Sequence, residues 1–99
     1  MINITVELLV NGQSRLKAGL DGLGTLTAAL AIARMTPLEI GREEIGLEVT
    51  GVAIEGQQRD FLRWMSPELV VGDTIELRIA REPDFHLPSR SDLSKWEQE

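Results

Sequence analysis

The clearest alternation of apolar and polar residues lies in the stretch FLRWMSPELVVGDTIELRI, residues 61–79. Apolar residues at every second position from Ile75 to Ile79 are separated by polar or charged ones, a period typical of a strand with one buried face. Gly72 and Asp73 precede them as a turn, because Gly accepts a positive φ and the Asp carboxylate accepts hydrogen bonds from nearby backbone N–H groups. The stretch therefore predicts a strand, a tight crossover and a second strand.

Two apolar groups in this stretch lead to predictions about burial. Leu69, Val70 and Val71 follow one another without polar neighbours, so at least two of them are expected to be buried. Trp64 is expected at the centre of the core, and the alternative is an interface anchor, since Trp is enriched at binding hot spots. Strand alternation places Leu62 on the same face as Trp64.

The chain opens with a second alternating segment, residues 2–10, which predicts a strand. The Asn-Gly pair at 11–12 resembles a two-residue hairpin turn. Strict pairing across such a turn sets the apolar face of the first strand beside the charged face of the second. A three-residue loop at 10–12, with its glycine left-handed in a bulge, instead pairs Val6 with Leu16. The sequence therefore predicts the three-residue loop.

The segment 25–35 has two interpretations. Leu and Ile alternate with Thr and Ala, but the Ala-rich TAALAIARM also has good helix propensity. We favour a strand, because the preceding hairpin offers an edge for pairing and threonines suit a strand. Thr36, Pro37 and Glu39 then match the N-cap, first position and capping glutamate of a short helical turn.

Strand character returns over 45–54, where Leu47 and Val49 are expected to point inward. Gly51 marks a bulge or the close approach of another strand. The chain is thus predicted to be mainly β, a small antiparallel sandwich or partly open barrel of about five or six strands with a short helical turn. Residues 1–81 form the single β domain, and residues 82–99 a charged C-terminal tail that lies on the domain or is disordered.

Charge and composition argue against several classes of function. The formal net charge is −6, from 16 acidic and 10 basic residues, without a basic stripe that would attract nucleic acid. The absence of cysteine excludes a disulfide framework and thiolate metal sites and fits a reducing compartment as well as any other, and the cytoplasm is the default expectation. No segment approaches the roughly 18 apolar residues of a membrane span. A protein with a basic surface is the expected partner.

Enzymatic activity is not expected. His86 is the only histidine, so the common nitrogen and sulfur metal sites and a rigid Ser-His-Asp arrangement have little support, and no cofactor or metal is predicted. The candidate partner-binding residues are instead the densest acidic patch and the apolar residues of the tail: Glu39, Glu43, Glu44, Phe85, Leu93 and Trp96. The last two would share one side of a short helix that docks on its own domain, stays disordered or recognises a partner.

The order of four segments, LEVTG, FLRW, LVVGDTIELRI and EPDFHLP, resembles a group of small bacterial proteins of unknown function. In that group an aromatic-Leu-x-Trp segment precedes Leu-x-x-Gly-Asp-x-Ile, and NGQSRLKAGL and GTLTAAL near the start of this chain are similar to the group as well. The resemblance covers most of the chain and implies a folded family domain. Its motifs are structural, so no functional residue transfers from it.

The residues together favour a non-enzymatic protein-binding module. In its sharpest form this is an acidic inhibitor or immunity-type protein, whose charge steers it to a basic partner. One alternative is a structural component that assembles with copies of itself through exposed sheet edges. The other is a β domain that binds a small ligand.

Overall fold

The computed structural model describes residues 3–34, 43–65 and 67–92. These residues form eight strands: β1 Asn3–Val10, β2 Gln13–Leu20, β3 Leu23–Ala33, β4 Glu44–Glu55, β5 Gln58–Trp64, β6 Glu68–Leu69, β7 Ile75–Glu82 and β8 Ser89–Asp92. The strands build two antiparallel sheets that do not close into a barrel. The predicted mainly-β class is confirmed, and the helical turn predicted at 36–39 lies outside the described residues.

The smaller sheet has the order β2-β1-β7, and the larger has the order β3-β4-β5-β8, with β6 also paired to β4. The larger sheet includes β8, which lies within the segment assigned to the tail and pairs with β5. Residues 89–92 of the predicted tail therefore lie on the domain, which is one of the two alternatives that the sequence left open.

The core lies between the inner faces of the two sheets. Its buried members come from β1 and β2 on one side and from β4, β5 and β6 on the other: Leu8, Val10, Leu16, Ala18, Leu47, Val49, Leu62, Trp64 and Leu69. Trp64 is 2% exposed, so its predicted place in the core is confirmed. Leu62 shares its face, and Leu47 and Val49 point inward, as strand alternation predicted.

The first hairpin brings its apolar residues together in a different way from the one predicted. Asn11 and Gly12 form a two-residue turn with φ of 53° and 82°, so the predicted three-residue loop is wrong. Ile4 to Leu8 pair in one register that sets Leu8 opposite Leu16, and Leu9 and Val10 pair one position out of step with it, which leaves Arg15 as the extra residue of a bulge. The extra residue that brings the apolar faces of β1 and β2 to the same side of the sheet therefore lies within β2 and not in the turn.

Burial after β5 also departs from the prediction. Leu69 is buried, but Val70 and Val71 are 66% and 76% exposed, so the expectation that two of the three are buried is wrong. The reason is that β6 ends at Leu69 and the chain turns at once, closed by a bond of 3.1 Å from the Asp73 N–H to the Val70 carbonyl. The two valines therefore lie in a turn outside the sheet.

The inner face of the smaller sheet is covered over only part of its length. Leu77 pairs with buried Leu8 and Ile79 with Val6, so both share the core-facing side. Their exposed fractions are nevertheless 44% and 77%. The alternation from Ile75 to Ile79 correctly indicated a strand, but the described residues bury only part of its apolar face.

The turn before β7 is fastened to the β1–β2 turn. The Asn11 side chain donates to Asp73 Oδ1 at 2.9 Å and accepts from the Thr74 N–H at 2.9 Å, and the Asn11 N–H donates to the Thr74 carbonyl at 2.8 Å. The Val70 N–H donates to Asp73 Oδ2 at 2.8 Å. The bond from Val70 and then the one from Asn11 hold the pKa of Asp73 below its ordinary value of 3.8.

Asp73→Asn should therefore reduce stability in a pH-dependent way. A carboxylate whose pKa is lowered by folding stabilises the fold above its unfolded pKa, and this contribution is lost as the pH falls through the folded pKa. In urea unfolding we expect the variant to be less stable than wild type at about pH 7, with the difference shrinking below about pH 4. Asp21→Asn, at an exposed turn, is the matched control. An equal difference at every pH would contradict this role of Asp73.

Candidate functional site

The outer edge of β3 is the candidate functional site. On one side β3 pairs with β4 along its whole length, from Leu23 opposite Ile54 to Ala33 opposite Glu44. On the other side no strand within the described residues pairs with it. The strand predicted over 25–35 is confirmed as far as Ala33, where β3 ends.

The composition of β3 leaves this edge without the usual protection. Its 11 residues, LGTLTAALAIA, contain neither a charge nor a proline. Edge strands commonly carry lysine, proline or bulges, because an unprotected row of N–H and C=O groups pairs readily with another chain. An uncharged strand of this length is therefore suited to pairing with a further strand.

Apolar side chains beside the edge are also exposed. Leu30 pairs with buried Leu47, and Ile32 pairs with Ile45, so both extend the core-facing side of the larger sheet. Their exposed fractions are 53% and 65%, and Leu23 on the opposite face is 75% exposed. A partner strand here would gain backbone hydrogen bonds and cover apolar surface at the same place.

The outer edge of β7 differs in its chemistry. It too is an edge strand, but Glu76, Arg78, Arg81 and Glu82 occur within its eight residues. Arg78 is bonded to Glu76 at 3.0 Å. Charges of both signs along a strand hinder its pairing with another chain. The edge of β7 is therefore a weaker candidate than that of β3.

The outer edge of β2 is covered by the segment after β7. The His86 N–H donates to the Lys17 carbonyl at 2.8 Å, and His86 Nδ1 accepts from the Lys17 N–H at 3.1 Å. The His86 carbonyl accepts from Trp64 Nε1 at 2.6 Å, which fixes the segment to the core. Phe85 lies against Gly19, where a Cβ atom would come within 2.6 Å of its ring. Phe85, a predicted partner-binding residue, thus packs on its own domain.

An open surface pocket of about 260 Å³ borders the same segment. Ser14 Oγ donates to Glu7 Oε2 at 2.5 Å. Lys17 forms an ion pair with Glu82, and this hydrogen bond raises the pKa of Lys17 above its ordinary value of 10.5. The bond of Ser14 joins β2 to β1, whereas the bonds of the His86 N–H and Nδ1 to Lys17 hold the segment on the domain.

The acidic residues predicted from the sequence lie at the C-terminal end of β3. Glu44 begins β4 opposite Ala33, and Glu43 beside it accepts from Arg34 at 3.0 Å. Glu68, which the sequence did not single out, joins them because β6 pairs with the start of β4. The three line an open groove of about 630 Å³ with Ile32, Leu69 and Val70 among its apolar residues. We call it the acidic groove.

The remaining predicted site residues, Glu39, Leu93 and Trp96, lie outside the described residues. Across the ranges 3–34, 43–65 and 67–92, no group of three or more His, Asp or Glu side chains is arranged to hold a metal ion. Within the same ranges, no helix is long and apolar enough to cross a membrane.

Comparison with known proteins adds no likeness to this geometry. Neither a family model, nor a curated protein, nor a solved structure matches the chain. The edge of β3 and the acidic groove are therefore the two surfaces of the described residues that suit binding. The unprotected edge could have been recognised in the sequence, because residues 23–33 carry no charge whereas 26% of the chain is charged.

Gly19→Ala should release the segment that covers β2. The new methyl group would come within 2.6 Å of Phe85 Cδ1, so the ring must move and the bonds of His86 weaken. We expect a loss of about 1–3 kcal/mol in the free energy of unfolding. Fluorescence of Trp64, isolated by Trp96→Phe, should shift as its bond to the His86 carbonyl weakens.

Gly22→Ala is the matched control, because nothing lies within 4 Å of the Cβ position at Gly22. Equal stability and equal fluorescence in the two alanine variants would show that Phe85 does not hold this segment in place.

Proposed function

We propose that this protein is a non-enzymatic protein-binding module, and that its partner adds a strand to the outer edge of β3. The single observation that carries the proposal is the 11-residue uncharged strand whose outer edge is unpaired within the described part of the chain. In recognition by strand addition, main-chain hydrogen bonds supply affinity and the side chains on each face supply specificity. The edge of β3 meets both requirements.

Backbone pairing is the first source of affinity. In an antiparallel sheet, successive residues direct their N–H and C=O groups to opposite sides of the strand. About half of these groups in β3 therefore point away from β4. An added strand would bond them in the geometry that already exists between β3 and β4, so little rearrangement of the domain is needed.

Apolar burial is the second source. Leu30 and Ile32 are exposed on the side that faces the core, where an added strand would extend the sheet and shield them. Full burial of such a side chain contributes about 1.5–3 kcal/mol. Association has its own entropic cost, so only part of this contribution remains as affinity.

We also propose that the protein acts in the cytoplasm, as expected from the sequence. A cytoplasmic location is part of the proposal, because a chain without cysteine is compatible with a reducing compartment. Membership of the group of small bacterial proteins rests on the segments FLRW and LVVGDTIELRI and assigns no role to any residue.

Ile32→Lys should abolish or strongly weaken binding. The side chain is 65% exposed, so the isolated domain accommodates lysine, but a partner strand would have to cover the charge. We expect the affinity to fall by at least about tenfold. The measurement is capture of bound protein, including a differently tagged copy of the chain, from native lysate.

The matched control is Ile79→Lys, the same change at a 77% exposed position on the edge strand of the other sheet. It should leave capture unchanged. Equal loss in both variants, or no capture by the wild-type chain, would contradict binding through β3.

The acidic inhibitor of a basic partner is the second candidate function, and the acidic groove is the observation that favours it. Glu44 and Glu68 are exposed there, beside Ile32 and the 66% exposed Val70. Carboxylates next to apolar side chains suit a lysine or arginine whose aliphatic stem packs while its charge is neutralised. The net charge of −6 would also steer a basic partner toward the domain.

Glu68→Gln tests this candidate. Loss of one exposed charge should weaken capture of a basic partner by up to about fivefold at low salt, and the difference should vanish at high salt. Glu55→Gln, at the exposed turn between β4 and β5, is the control with the same charge change. Capture that is independent of both salt and Glu68 would remove the inhibitor hypothesis.

A further inference from the structure

We infer that the strand added to β3 is β3 of a second copy of this chain, paired antiparallel about a two-fold axis at Ala28. The inference rests on the proposed function, because it names the partner of the same edge. In this dimer the larger sheets of two copies become one continuous sheet, in which the order β8-β5-β4-β3 is followed by the same strands reversed.

The sequence of β3 is complementary to itself in this register. With Ala28 opposite Ala28 of the second copy, Leu23 lies opposite Ala33 and every one of the 11 residues has a partner. Leu26 then lies opposite Leu30 of the second copy, on the inner face where both side chains already point. A two-fold axis perpendicular to the sheet keeps the two inner faces on the same side, so apolar surface meets apolar surface.

The size of this contact matches that of a stable interface. An antiparallel pair of 11 residues exchanges about ten to twelve backbone hydrogen bonds, counting two for each hydrogen-bonded residue pair. A typical protein–protein interface has about ten direct hydrogen bonds. The pairing also sets Leu26 of the second copy opposite Leu30 and diagonal to Ile32, which lies opposite Gly24; Leu30 and Ile32 are 53% and 65% exposed in the single chain.

The distribution of charge agrees with a second copy. No charge lies between Leu23 and Ala33, so no like charges meet along the paired strands. Just beyond the two ends, the register sets Arg34, which forms an ion pair with Glu43, opposite Gly22 of the second copy and one position from Asp21, so no like charges face each other there either. The net charges of −6 on the two domains repel at long range, and salt screens this repulsion. Salt should therefore maintain or strengthen the dimer, whereas it weakens binding of a basic partner in the acidic groove.

Cysteine cross-linking tests the partner and the register together, because the chain has no cysteine of its own. Residues directly opposite each other in an antiparallel pair have Cβ atoms about 4.5–5.5 Å apart, close enough for a disulfide to form with small adjustments. Ala28→Cys should therefore give a covalent dimer under mild oxidation. Thr27→Cys is the control, because Thr27 lies opposite Ala29 and two Thr27 positions are about 7–8 Å apart on the diagonal.

The expected result is a covalent dimer of Ala28→Cys at least about tenfold more abundant than that of Thr27→Cys, with salt maintaining or increasing its yield. Adding Leu30→Lys, which sets a charge against Leu26 of the second copy at a position 53% exposed in the single chain, should remove the dimer, and adding Ile79→Lys should leave it. Cross-linking that is equal at the two positions overturns the register and with it the inference.

A monomeric wild-type chain in light scattering, together with no cross-link at Ala28, overturns the second copy as partner. If Ile32→Lys then still abolishes capture of a different protein while Ile79→Lys and Glu68→Gln do not, the proposed binding edge stands with another occupant. If neither variant changes any capture, the proposed function fails as well.

Discussion

The pairing of β4 with β3 is the interaction on which the rest of the structure depends. β4 is paired on both sides, with β3 along one edge and with β5 and β6 along the other. This central position brings Val49 opposite Trp64 and Leu47 into the core. In the same arrangement β3 lies at the edge of the sheet, where about half of its backbone N–H and C=O groups face outward. Formation of the core and exposure of the candidate binding edge therefore follow from one pairing.

The closeness of this pairing is visible at Gly51. A Cβ atom there would lie 2.5 Å from the Thr25 carbonyl oxygen and 3.1 Å from Leu26 Cδ2, which bears out the close approach predicted from the sequence. Because β3 is held so closely by β4, its outer edge is presented on a fixed strand. A pre-formed edge binds at a lower entropic cost than a segment that must first become ordered.

Much of the fold could be predicted because alternation reports which face of a strand is apolar. Alternation identified the strands around Val49 and Trp64. It could not show that Leu77 and Ile79 lie on a part of the smaller sheet that the larger sheet does not cover, because burial depends on both sheets. The turn at Val70 is closed by Asp73 three residues on, and the two-residue turn beside the bulge at Arg15 is fastened by Asn11 to Asp73 and Thr74, which lie far along the chain and which alternation does not reveal. For the candidate site, Glu43 and Glu44 were found as neighbours in sequence, whereas Glu68 joins them only through strand pairing.

Residue-resolved hydrogen exchange along β3 tests the central claim most directly, because it reads the backbone groups that a partner strand would bond. In dilute protein, amides of 23–33 that bond to β4 should be protected and the alternating outward amides should exchange freely. In concentrated protein the outward amides should become protected as well, while those of β7 stay unchanged. Outward amides of β3 that exchange equally fast at both concentrations would contradict pairing of this edge with a second copy.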